Sequence, residues 1–105
     1  MLSFDEFKKL DLRVARILTA EKIPDAENLL KLKIDIGGEQ RQIVAGIAKF
    51  YTPESLVGKQ IVVVANLEPK TFRGVESQGM ALAADAAEPV LLIPDKEVKP
   101  GSKIC

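Results

Sequence analysis

Leu30, Leu32, Ile34 and Ile36 alternate strictly with Lys31, Lys33 and Asp35, and the run stops at the pair Gly37-Gly38. A period of two sends successive side chains to opposite faces of a strand, so the four aliphatics share one face and the two lysines the other. The glycine pair followed by the apolar return segment "QRQIVAGIA" predicts a hairpin. One face of that hairpin is core, and the other meets solvent or a ligand. Arg41, at the start of the return strand, is a candidate companion of the lysines. Its register stays open, because a slip of one residue reverses its face.

The rest of the chain reads as short elements around this hairpin. Ser3 with Glu6 fits a capping box, and Phe4, Phe7 and Leu10 follow at three-residue spacing, which predicts a short opening helix. "DLRVARILTAEKIP" is a long strand ended by Pro24 and Asp25, and its imperfect alternation predicts a bend or bulge. Thr52 before Pro53 is a favoured N-cap and first-turn pair, and Gly58 is a stop, so one helical turn is expected there. "QIVVVANL" reads as a buried strand, and "GMALAA" and "VLLI" supply further apolar runs. At 105 residues and 47% apolar content, residues 1–105 are expected to form one domain with one core.

Composition narrows the chemistry. The sequence contains no histidine, which excludes Ser-His-Asp and Cys-His catalytic arrangements, and no phosphate-binding glycine loop accompanies its lysines and carboxylates. Cys105 is the one cysteine, so neither an intrachain disulfide nor a cluster of soft metal ligands is expected. The longest apolar run, Ile61 to Ala65, is far short of a membrane span, and the first residues lack a signal-peptide pattern. A cytoplasmic protein without catalytic residues, metal or cofactor is expected. Net charge is zero, yet residues 31–73 carry +3 while the flanking segments carry −1 and −2. So small an imbalance fits ordinary solvated strand faces as well as a binding groove.

The order of helix, strand, hairpin, small helix and further strands predicts an all-β chain. It matches an OB-fold, a five-stranded Greek-key barrel with a short N-terminal helix and a small helix between strands 3 and 4. Four segments in order, "DLRVARI", "LLKLKID", "VAGIAKFYTPESLVGK" and "VVVANLEPKTFRGVESQGMALAA", resemble the tRNA-binding domain family. That family includes free-standing tRNA-binding proteins, the C-terminal domain of methionyl-tRNA synthetase and the endothelial-monocyte-activating polypeptide group. The resemblance covers nearly the whole chain. It departs at "IPDAENLLK", where a His-Pro-Asn-Ala-Asp-like turn is common, although Pro24, Asp25 and Asn28 keep turn chemistry.

The resemblance implies a homodimer that binds tRNA by shape at its outer elbow, without catalysis, acting with or within methionyl-tRNA synthetase. Lys31, Lys33, Arg41, Lys49, Lys70 and Arg73 are the candidates for phosphate neutralisation, although each singly also reads as a solvated surface cation. Ser77, Gln78, Gly79 and Met80 are expected at the edge of the RNA-binding face; read from chemistry alone, Gly79 is equally a bulge and Met80 a core plug. Phe4, Phe7, Leu10, Val90, Leu92 and Ile104 are the expected dimer contacts, with the C-terminal tail as a dimerisation element. Two alternatives stay open. Export-related chaperone dimers that bind unfolded peptides share the "YxPExLxG" and "NxxP" patterns, and a module that only joins synthetase subunits is also compatible.

Overall fold

The computed structural model describes residues 1–105, with elements α1 (Phe4–Phe7), β1 (Leu12–Lys22), β2 (Leu30–Asp35), β3 (Gln40–Ala45), α2 (Pro53–Leu56), β4 (Gln60–Val64), β5 (Lys70–Phe72), β6 (Val75–Ser77), β7 (Met80–Ala81), β8 (Ala83–Asp85) and β9 (Pro89–Leu91). Five strands form one antiparallel sheet in the order β3-β2-β1-β4-β7, curled into a nearly closed OB-like barrel. Two hairpins, β5-β6 and β8-β9, stand beside it.

The expected first hairpin forms as its glycines dictate. The Ile36 N–H donates to the Glu39 carbonyl at 2.9 Å, across Gly37 and Gly38 with φ of 99° and 85°. Two positive φ values in a two-residue loop make a type I′ turn, whose twist matches that of the flanking strands. The Asp35 carboxylate accepts the Gly37 N–H at 2.8 Å and so caps the turn. Leu30, Leu32, Ile34 and Ile36 are buried together with Ala15, Ile17, Ile43, Leu56, Ile61 and Val63. Each fully buried Leu or Ile contributes roughly 1.5–3 kcal/mol relative to exposure, which fixes the sheet's inner face.

β1 serves two partners because it bends. Leu12 to Arg16 pair with β4, and Arg16 to Lys22 pair with β2, with a register shift between Ile17 and Thr19. That irregularity is the bulge expected from the broken alternation. It turns a flat ladder into a barrel wall. Ser3 and Glu6 form both halves of the capping box on α1, and the Thr52 side chain caps α2. Leu56 of α2 is fully buried against the core.

The C-terminal tail occupies the stretch of β1 edge that β2 leaves free. Val14 donates its N–H to the Ser102 carbonyl at 2.9 Å and accepts from the Gly101 N–H at 2.7 Å, and Leu12 accepts from Ile104 at 2.9 Å. A Cβ on Gly101 would lie 2.5 Å from the Ile36 carbonyl oxygen, so no larger residue fits this crossing unshifted. The buried Gln60 side chain holds the preceding residues as a peptide group would: its Nε2 donates to the Val98 carbonyl, and its Oε1 accepts the Val98 N–H at 3.0 Å.

Two features were not anticipated. Lys70 to Ser77 form a hairpin of their own, and "GMALAA" is divided between β7, in the main sheet, and β8, in a separate ribbon. No helix is long and apolar enough to cross a membrane.

Candidate nucleic-acid interface

The outer face of β2 carries Lys31 and Lys33. Lys31 lies opposite Glu21 on one side and Val44 on the other, and its Nζ is 2.6 Å from the Glu21 carboxylate. Lys33 lies between Thr19 and Gln42, is exposed and has no ion-pair partner. Two lysines two residues apart therefore differ: one is already neutralised and the other is free.

Arg41 does not join them. The β2-β3 register sets it opposite Ile34, on the aliphatic side of the hairpin, where its side chain reaches the open end of the barrel. Its Nε donates to Glu39 Oε2 at 2.9 Å, and its guanidinium also bonds the Ala65 carbonyl and approaches the Gln78 carbonyl at 3.5 Å. The register that the sequence left open thus sets it on the face opposite the lysines. The signal was present in the sequence, since a two-residue Gly-Gly turn pairs Ile36 with Glu39 and hence Ile34 with Arg41.

The Ser77–Met80 segment closes the barrel. β3 pairs with β2 on one edge, and its other edge meets side chains: the Val44 N–H donates to Ser77 Oγ at 2.9 Å and the Gln42 N–H to Gln78 Oε1 at 3.1 Å. Gln78 returns its own N–H to the Gln42 carbonyl at 2.8 Å, and Gln42 Nε2 donates to the Glu76 carbonyl at 2.9 Å. Ser77 is only 3% exposed, and its hydroxyl donates onward to the Gly79 carbonyl at 2.9 Å. The Ser77 hydroxyl, expected at the edge of an RNA-binding face, thus accepts one bond and donates one within the seam. Gln78 is exposed but gives its amide oxygen to the same seam. Gly79, at φ 148°, passes so close to β4 that a Cβ would lie 2.9 Å from the Val64 carbonyl oxygen. Met80, paired with Val64, is 46% exposed and is not a core plug.

The other candidate cations lie on the β5-β6 hairpin and on the loop after β3. The β5-β6 turn places Arg73 at φ 50° and Gly74 at φ 80°, a second type I′ geometry, so the exposed Arg73 stands at a hairpin tip. Lys70 pairs with Ser77 across the ribbon and holds its Nζ 5.1 Å from the Phe72 ring centroid, a cation–π contact. Arg73 and the turn Asp25–Leu29 border one cleft of about 450 Å³. Asn28 of that turn accepts the Lys49 N–H at 3.2 Å and donates to the Gly46 carbonyl at 3.2 Å, which fixes the loop bearing Lys49. Lys49, Lys70 and Arg73, like Lys33, have no ion-pair partner. Gln42 carries no signal in the sequence, since an isolated amide has no periodicity, and Asn28 is legible there only as a turn residue.

At the barrel end, Asp11–Arg13 and Glu39–Arg41 form two ion pairs, each at 2.9 Å. The hydrogen bond from Arg13 holds the Asp11 carboxyl below its ordinary value, and that from Arg41 does the same for Glu39. No group of three His, Cys, Asp or Glu side chains is arranged to hold a metal ion.

Residues 12–103 match the model of the tRNA binding domain family. The chain belongs to that family. This tRNA-binding domain is 57% identical to the methionine–tRNA ligase of Archaeoglobus fulgidus over 105 residues, 99% of the chain and 16% of that relative. It therefore spans about one sixth of the length of the curated relatives it matches. Among solved structures it is similar to a MetRS-related protein from Pyrococcus horikoshii, with 41% identity, a TM-score of 0.94 and coverage of 100% of this chain and 98% of the other. It is also similar to the chaperone CsaA from Bacillus anthracis, with 38% identity, a TM-score of 0.91 and coverage of 100% and 99%.

The residues expected at a dimer contact lie in two places on this tRNA-binding domain. Phe4, Phe7, Leu10 and Ile104 line one groove of about 620 Å³, and α1 buries none of its residues within the chain. Val90 and Leu92 are exposed at β9 and do not line that groove.

Proposed function

We propose that this domain binds folded tRNA by shape, at the outer elbow, as a homodimer in the cytoplasm, and that it serves methionyl-tRNA synthetase as an appended or associated module with no catalysis of its own. The observation that carries this reading is the family match over residues 12–103, with relatives that are methionine–tRNA ligases. The unpaired cations Lys33, Lys49, Lys70 and Arg73 support it. Duplex RNA hides its major groove from side chains, so a folded tRNA offers chiefly phosphates, 2′-hydroxyls and exposed bases. Cations spread over a strand, a hairpin and a loop suit such a target better than a planar array of base-reading groups. The apolar groove at Phe4, Phe7, Leu10 and Ile104, together with Val90 and Leu92, supplies surface for a two-fold contact.

The similarity to the CsaA chaperone, with zero net charge and a wide apolar groove, favours a second reading in which the same fold holds an unfolded peptide. Salt separates the two. Four engaged cations give a log–log slope of affinity against salt of about −3 to −4, independent of the anticodon sequence. A slope near zero for tRNA, or dependence on the anticodon, would contradict the proposal.

A further inference from the structure

Resting on the tRNA reading, we infer that Arg41 is a positioning residue: its guanidinium fixes the Gln78–Met80 segment against the end of β4 and does not neutralise a phosphate. Five observations carry this. The side chain lies on the Ile34 side of the hairpin, away from Lys31 and Lys33. Its donors are directed at Glu39, Ala65 and Gln78. β4 and β7 share only two residue pairs, Val63 with Ala81 and Val64 with Met80, too short a ladder to set the exposed Met80 alone. Arg41 spans that ladder, bonding the residue just beyond Val64 on one strand and approaching the residue two before Met80 on the other. Its charge, finally, is offset by the Glu39 carboxylate at 2.9 Å, whereas Lys33 has no acid against it.

A planar fork with donors in fixed directions can hold two carbonyls and a carboxylate at once. A lysine ammonium keeps the charge and loses that geometry. The consequence for RNA binding is indirect: Arg41 sets where Met80 and the Gln78–Gly79 backbone stand relative to Lys33 and Lys70.

The test uses Arg41→Lys and Arg41→Met, with Lys33→Ala as the phosphate-contact control. tRNA titrations at several salt concentrations are read beside thermal melts and the ¹³C-methyl resonance of Met80, all below the melting temperature. Positioning predicts that both Arg41 variants lose roughly tenfold in affinity with an unchanged salt slope. It also predicts that the Met80 methyl shifts in the free protein for both, while Lys33→Ala lowers the slope by about 0.7–0.9 and leaves the methyl in place. Wild-type affinity in Arg41→Lys, or a slope lowered by about one in Arg41→Met, would overturn it. Should Arg41→Met fail to fold, Arg41→Lys decides. Should wild-type protein not bind tRNA, the functional reading fails separately, and the Met80 methyl in Arg41→Lys still decides the positioning claim: unmoved, it is wrong.

Discussion

The Val44 N–H donates to the Ser77 hydroxyl oxygen at 2.9 Å, so a side chain supplies the acceptor that a strand carbonyl supplies elsewhere in the sheet. Ser77→Ala leaves a buried N–H without a partner. It should destabilise the fold by about 1–3 kcal/mol, because the full desolvation penalty then stands uncompensated. For a domain of this size that is a fall of several degrees or more in Tm. Its salt slope for tRNA should match the wild type, since no charge is lost. A Ser77→Ala protein as stable as the wild type would contradict the seam.

Gly79→Ala should be destabilising for two reasons that act together: a φ of 148° is a region L-residues rarely adopt, and the new Cβ would meet the Val64 carbonyl oxygen at 2.9 Å. The expected cost is on the order of 1–3 kcal/mol, read as a shifted urea midpoint at unchanged m-value. Gly38→Ala, with nothing within 4 Å of its Cβ, tests the φ effect alone and should cost less.

Lys33 and Lys31 should behave differently in spite of their shared face. Lys33→Ala removes a free cation and should lower both tRNA affinity and salt slope, whereas Lys31→Ala should change both less, because Glu21 already offsets its charge. Glu21→Gln should strengthen binding by freeing Lys31. Equal effects of the two lysine substitutions would show that the Glu21 pair does not govern the face.

Acid should weaken the barrel end. The Asp11 carboxyl is held below its ordinary value of 3.8, chiefly by the Arg13 hydrogen bond. A depressed folded-state pKa contributes stability that is present above the unfolded value and lost as pH falls through the folded one. Asp11→Asn should therefore be less stable than the wild type at neutral pH. The difference should shrink as pH falls below about 3.8. Parallel denaturation curves across that range, with a constant gap, would contradict the linkage.

Much of the fold was legible because local rules agreed. The alternation of Leu30, Leu32, Ile34 and Ile36 gave the hairpin and its inner face, and Ser3–Glu6 and Thr52–Pro53 gave both helix starts. The candidate site was harder to read. β3 runs from Gln40 through Arg41 and Gln42 into three buried apolar residues, so its own pattern does not say which way Arg41 points. The role of Ser77 depends on a strand 33 residues away, and a serine that replaces a strand carbonyl looks no different in sequence from one that faces solvent. Lys31 and Lys33 were placed on the correct face; that Glu21 cancels one of them follows only from the β1-β2 register.

The central claim, recognition of a folded tRNA, is tested most directly by titrating one tRNA in its folded form, the same RNA unfolded by removal of Mg²⁺ and heating, and an unfolded polypeptide against the intact domain at fixed salt. Tight binding of the folded tRNA, with at least tenfold weaker binding of the other two, is the predicted result. Equal affinity for folded and unfolded RNA, or preference for the polypeptide, would contradict it.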